Sequence, residues 1–228
     1  MPAPDPAEHP SLDRARAYCG LAGLFREPDR EGFAELRATL VPELRGALGR
    51  LGADGKAALL VDELEARLRE TEFEDLFQLY LDTFDASGGL RCPPNETSLV
   101  ADTASEELTR TYALADVAGF YRAFGVETAA GGERPDHIAA ELEFMQLLAL
   151  KEWIARCEGN DPANADLCRD ASRKFLGDHL ARFAERLCER LGTDGPAVYA
   201  TAGRLLRQLT VLDLSRLGVT DGEGTAAG

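Results

Sequence analysis

Apolar residues recur every three to four positions along almost the whole chain, while alternating runs of β-branched residues are nearly absent. The pattern predicts an all-α protein. A first helix runs from about Ser11, a good N-cap, to Phe25, with Leu12, Cys19 and Ala22 turned inward and Pro28 ending it. Helical segments follow at 30–50 and 55–70, the second begun after Asp54-Gly55 and laced with Asp62, Glu63, Glu65, Arg67 and Arg69, the mixed charge of a solvated face. From Phe73 to Phe84 comes a dense stripe of Phe73, Leu76, Phe77, Tyr80, Leu81 and Phe84, which reads first as core. Later helices are expected at 101–124, 136–157 and 163–191, and a last one is begun by Pro196 and ends near Leu214.

Two breaks interrupt this pattern. In DASGGLRCPPNETS (85–98), Gly88-Gly89 and Pro93-Pro94 prohibit helix continuation, and a long loop in a helical protein is often functional. The second break, 125–134 with Gly131-Gly132, reads as a hinge. The expected organisation is a disordered arm over 1–10, an N-terminal lobe over 11–127, a hinge over 128–135, a C-terminal lobe over 136–214 and a disordered tail over 215–228. Roughly eight to ten helices in two lobes result, with no repeat of solenoid period.

Composition narrows the partners. With 228 residues and 45% hydrophobic content the chain buries a substantial core. Its net charge of -15 argues against sequence-independent nucleic-acid binding and for a basic or apolar partner. The opening MPAPDPAEHP has no apolar signal core, and no run of about 18 apolar residues spans a bilayer, so a cytoplasmic protein without stable membrane insertion is expected. Five scattered cysteines, Cys19, Cys92, Cys157, Cys168 and Cys188, contain no Cys-x-x-Cys and read as reduced, mostly buried thiols, not metal ligands.

Candidate chemistry is sparse. Neither glycine pair is followed by Gly-Lys-Ser/Thr, so there is no P-loop, and no catalytic residue, metal or cofactor is expected. His9 falls in the arm. His179 borders the apolar face of Phe175, Leu176, Leu180, Phe183 and Leu187 and reads first as a core-edge histidine. Asp136-His137 reverses the His-Asp order of metal-dependent phosphohydrolases and lacks their further ligands; a helical metal- or nucleotide-dependent hydrolase using Asp136, His137 and His179 is the rival reading. Pro135 fits a first-turn position and Asp136 a helix-start acceptor, a role that Asp136→Asn should largely keep. His137, as a first-turn imidazolium, would oppose the helix dipole, which leaves room for a role in recognition.

The string Pro135-Asp136-His137-Ile138-Ala139-Ala140-Glu141-Leu142-Glu143-Phe144-Met145 resembles the Pro-Asp-His-(apolar)-x-x-Glu-Leu-x-Phe-Met signature of the TorD/DmsD/NarJ family of molybdoenzyme maturation chaperones. Three more strings are similar to family elements: Glu74 with Phe77 to Phe84, Cys92-Pro93-Pro94-Asn95-Glu96-Thr97, and Phe175-Leu176-Gly177-Asp178-His179-Leu180. The chain departs at Asn95, where an aromatic is common, at Thr97, where Ser is usual, and at Arg182-Phe183, where a tryptophan is frequent. The Cys-Pro-Pro-x-Glu loop looks most like chaperones of the dimethyl sulfide dehydrogenase, ethylbenzene dehydrogenase and selenate or chlorate reductase branch. The resemblance implies an all-helical, non-enzymatic chaperone whose partners are a molybdenum-containing catalytic subunit precursor and its twin-arginine leader. It also implies binding residues Asp136, His137, Glu141, Tyr80, Phe84, Glu96 and His179. A monomer that also forms some dimer is expected.

Overall fold

The computed structural model describes residues 9–85, 92–100, 106–127 and 133–218. The arm through Glu8, both glycine pairs, most of the expected hinge and the tail from Val219 lie outside them. The described residues form helices α1 (Pro10–Phe25), α2 (Arg30–Glu35), α3 (Val41–Arg50), α4 (Gly55–Glu70), α5 (Phe73–Phe84), α6 (Glu96–Leu99), α7 (Glu106–Ala123), α8 (Ile138–Cys157), α9 (Pro162–Phe175), α10 (Ala181–Asp194) and α11 (Ala197–Leu217). Among them there is no strand, only an isolated antiparallel bridge between Asn95 and His137. No helix among them is long and apolar enough to cross a membrane.

Several ends differ from expectation for local reasons. His9, not Ser11, caps α1: its Nδ1 accepts from the Ser11 N–H at 3.2 Å, Pro10 fills the first helical position, and Ser11 is buried. His9 is thus part of the folded protein. Two helices read as continuous each contain one π turn, Leu36–Leu40 between α2 and α3 and Leu176–Leu180 between α9 and α10. In each the N–H five residues on, Val41 or Ala181, donates to the opening carbonyl. Periodicity cannot show one inserted residue because the apolar stripe resumes after it. At the C-terminal end α11 continues to Leu217 and stops at Gly218, whose φ of 73° is the left-handed conformation that closes a helix.

Helix α1 lies along α8 on one side and α3 on the other, while α8 packs on α9 and α11 packs on α10 and α4. One core results, joining Tyr18, Leu44 and Leu64 to Leu142, Phe175 and Leu206. Residues from both sides of the expected hinge contribute to it. Gly20 permits the α1–α3 approach: a Cβ there would stand 2.9 Å from Leu44 Cβ and 3.1 Å from the Leu40 carbonyl oxygen. Helix α10 shows the amphipathic rule plainly, with Phe183, Ala184, Leu187 and Leu191 buried and Arg182, Arg186, Glu189 and Arg190 exposed. Helix α8 is apolar nearly all round, as a central helix must be, yet buries Glu141 and Glu152.

Candidate functional site

The chain approaching α8 is stitched to the loop before α6. The Glu96 N–H donates to the Asp136 carbonyl at 2.8 Å, and the Ile138 N–H donates to the Pro94 carbonyl at 2.9 Å. Pro93-Pro94 make this stretch of backbone rigid, since proline fixes φ and lacks its own N–H. Tyr121 in α7 adds a third tie, its hydroxyl donating to the Pro135 carbonyl at 2.7 Å. The proline loop and the Asp-His signature, remote in sequence, therefore form one site.

Asp136 does not cap its own helix. It is fully buried, and its Oδ2 accepts from the Thr97 N–H at 3.2 Å and the Thr97 hydroxyl at 2.6 Å. Arg134 closes the other side as a fork, Nε donating to Oδ1 at 2.9 Å and Nη2 to Oδ2 at 3.0 Å. Asp136 is thus the N-terminal anchor of α6, and α8 is capped by His137, whose Nδ1 accepts from the Ala139 N–H at 3.2 Å. A nitrogen that accepts there is unprotonated, so the expected clash of an imidazolium with the dipole does not arise in that state. The same nitrogen lies 3.0 Å from a Glu133 carboxylate oxygen, a contact that requires a hydrogen on Nδ1, which the neutral ring can also carry. The two contacts are alternatives.

His179 comes to the site on the π turn before α10. Its Nδ1 meets Glu96 Oε2 at 3.1 Å and its Nε2 meets Asp116 Oδ2 at 3.1 Å, so the ring sits between two carboxylates. Phe175 and Phe120 pack on it with centroids at 5.2 and 5.8 Å. Burial pulls its pKa down, but the hydrogen bonds and charges of Glu96 and Asp116 outweigh burial and leave it above the ordinary histidine value. Glu96 is buried, and its Oε1 has no hydrogen-bond partner; Arg182 Nη2 lies 3.9 Å from it. Glu141, one turn into α8, is fully buried, and neither of its carboxyl oxygens has a partner. Burial first, then the charges of Glu96 and Asp136, push its pKa well above the carboxylate range. A buried acid without donors is uncommon and costly, and such groups concentrate at functional sites.

Five of the seven residues singled out from sequence, Asp136, His137, Glu141, Glu96 and His179, are thus brought together. Tyr80 and Phe84 are not placed with them by direct contact. They meet Tyr199 edge-on at centroid distances of 6.4 and 4.9 Å, and Phe84 meets Phe25 at 6.3 Å, an aromatic junction of α5, α1 and α11. Sequence reasoning missed Arg134, Asp116 and Tyr121, whose roles depend on which loops meet. It also missed a buried ionic cluster across the core. There Arg14 donates from Nε to Asp213 at 2.7 Å and from Nη1 to Glu152 at 2.8 Å, and the Tyr18 hydroxyl donates to Asp213 at 2.7 Å. A signal existed: Glu152 follows Leu148, and Asp213 follows Leu209, at one helical turn on buried stripes.

Among the described residues no group of His, Cys, Asp and Glu side chains has a geometry able to hold a metal ion. Asp136 is fully engaged with Thr97 and Arg134, which leaves the rival hydrolase without a free carboxylate at that position. All five cysteines are free thiols, but only Cys92 and Cys168 are buried, fewer than expected.

The sequence profile of the family described as nitrate reductase delta subunit matches residues 50–189, a span that holds every member of this site. A perchlorate reductase assembly chaperone protein from Dechloromonas aromatica is 33% identical over 75% of this chain and 74% of its own. A selenate reductase assembly chaperone protein from Thauera selenatis is 31% identical over 90% of this chain and 89% of its own. A chlorate reductase assembly chaperone protein from Ideonella dechloratans is 30% identical over 90% and 89%. These relatives fall in the selenate and chlorate reductase branch to which the Cys-Pro-Pro-x-Glu loop pointed. The chain belongs to the nitrate reductase delta subunit family, the TorD/DmsD/NarJ group of molybdoenzyme maturation chaperones.

Proposed function

We propose that this protein is an assembly chaperone for a molybdopterin oxidoreductase of the selenate and chlorate reductase kind. It is not an enzyme. In this reading it works in the cytoplasm, binds the apo catalytic subunit and its twin-arginine leader, and holds the precursor until the cofactor is inserted and export can proceed. It acts as a monomer with a minor dimer.

The observation that carries leader binding is the donor deficit at the α6–α8 junction. Glu96 Oε1 is a buried acceptor without a partner, and the carboxyl of Glu141, held in its protonated form by burial, has none either. A partner rich in guanidinium N–H groups supplies what is missing, because each arginine offers a planar fork of donors matched to carboxylates. The site is closed in the unbound chain, so binding requires the short α6 to shift. Asp136 and the Asn95–His137 bridge hold α6, which gives the signature residues a gating role next to their structural one. Affinity comes mainly from the apolar part of a leader: burying about 500 Å² yields on the order of 12 kcal/mol gross at about 25 cal/mol/Å², much of it offset by ordering the peptide. Charge sets orientation and encounter rate, helped by the net charge of -15.

Co-purification tests the reading. The chain is expected to retain a twin-arginine-bearing catalytic subunit, and to retain less of it when the leader is removed. No enrichment of either form would sink the proposal.

A further inference from the structure

A second site lies away from the α6–α8 junction, where the start of α1 meets α8, α9 and the end of α11. Four arginines, Arg14, Arg156, Arg169 and Arg216, line a cavity of about 500 Å³ together with Ser11 and Glu152. Such convergence is unexpected in a chain with 25 basic and 40 acidic residues. Like charges gather at one cavity only when something negative compensates them.

Part of the compensation is visible. The Glu152 carboxylate sits among three of the guanidiniums, 2.8 Å from Arg14, 3.4 Å from Arg156 and 3.7 Å from Arg169. Asp213 holds Arg14 from behind, and Asp166 holds Arg156 from the outside. The compensation is incomplete at one atom. Arg14 is 2% exposed, its Nε and Nη1 are committed to Asp213 and Glu152, and its Nη2 has no hydrogen-bond partner. A buried guanidinium nitrogen without an acceptor calls for an oxyanion. Arg169 and Arg216 complete the wall, held by backbone: Arg169 Nη2 donates to the Arg216 carbonyl at 2.6 Å, and Arg216 Nη1 donates to the Leu51 carbonyl at 3.0 Å. Each guanidinium keeps further N–H groups for a ligand, since five are available per arginine.

We propose that this cavity binds a phosphate-bearing small molecule, with the phosphate accepting from Arg14 Nη2, Arg169 and Arg216. Its volume falls in the range of small-molecule pockets and exceeds what a bare oxyanion fills. Phosphate is favoured over a single carboxylate because Glu152 already supplies one carboxylate and leaves Arg14 unsatisfied. A group with three oxygens and close to two charges reaches several forks at once. This inference does not depend on the leader-binding reading, which uses other residues.

Calorimetric titration of the full chain at low salt, with inorganic pyrophosphate, ADP and citrate as separate probes, tests it. Saturable binding of pyrophosphate or ADP at one site is expected, with citrate much weaker. The double variant Arg169→Gln/Arg216→Gln should bind about tenfold or more weakly, while its urea midpoint stays that of the wild type. Arg30→Gln, on α2, is the remote control and should bind as the wild type does. Should the double variant unfold, Arg156→Gln replaces it, since Arg156 is partly exposed at the rim. Absence of saturable binding, equal affinity in the variant, or citrate binding as tightly as pyrophosphate would each overturn the proposal.

Discussion

His179 and Glu96, 83 positions apart in sequence, meet at 3.1 Å between Nδ1 and Oε2, with Asp116 on the other ring nitrogen. The contact fastens the π turn ahead of α10 to α6, and its strength depends on protonation. The folded pKa of His179 stands above the ordinary histidine value of 6.5, despite opposing burial. A raised folded pKa means that the stabilisation is complete below about 6.5 and is lost as pH rises through the folded value. Urea denaturation between pH 6 and 9 should show the wild type losing its advantage over His179→Gln as pH increases. A constant difference would show that the ring does not carry the charge assigned to it.

Glu141 has the same sign for a different reason. Its folded pKa is raised, burial being the largest cause, so the folded state must keep a proton that the unfolded chain releases above about 4.5. The cost is absent below that value and grows by about 1.4 kcal/mol per pH unit until the folded pKa is reached. Glu141→Gln, a neutral isostere, should therefore be nearly as stable as the wild type near pH 4.5 and more stable at pH 7. Equilibrium unfolding of both at the two pH values checks it.

Asp136 is a less forgiving position than a helix cap. Asp136→Ala strands the Thr97 hydroxyl and N–H and one face of Arg134, and the expected loss is about 2–4 kcal/mol. Asp136→Asn is also expected to cost about 1–3 kcal/mol, because its amide would turn donors toward Thr97 or Arg134, which are themselves donors. His137→Ala removes the α8 cap and should cost about 0.5–2 kcal/mol. Chemical denaturation that ranked Asp136→Asn with the wild type would contradict the α6 anchor.

The Arg14 cluster is a structural commitment of the core. Arg14→Met leaves Asp213 and Glu152 buried without their main partner, at an expected cost of about 3–5 kcal/mol. Gly20→Ala tests the α1–α3 approach, with an expected loss of about 1–3 kcal/mol from overpacking against Leu44. Either variant unfolding at the wild-type midpoint would mean that the packing described around it is wrong.

The helices were legible because apolar spacing is local: α4 and α5 run over 55–70 and 73–84 as the periodicity predicts. What was not legible depends on contacts across the chain. Asp136 looks like the cap of the helix it precedes, and nothing in the nearby residues says that Thr97 binds it instead. The π turn that presents His179 hides inside an unbroken apolar stripe. Tyr80 and Phe84 entered as partner-binding residues through resemblance, whereas their first reading as core is where the structure puts them. Glu141 entered through the resemblance alone, and nothing in the nearby residues says that it is buried without donors.

The measurement that bears most directly on partner recognition is a titration of a synthetic twin-arginine leader peptide into the wild type and Glu96→Gln, with folding of both verified by denaturation. The wild type is expected to bind saturably and to lose affinity when both leader arginines are replaced by lysine, since lysine cannot form the bidentate pair. Glu96→Gln, which keeps shape but not charge, is expected to bind about tenfold more weakly. No saturable binding by the wild type, or one affinity shared by the wild type and a folded Glu96→Gln, would contradict a leader-recognition role for the α6–α8 junction.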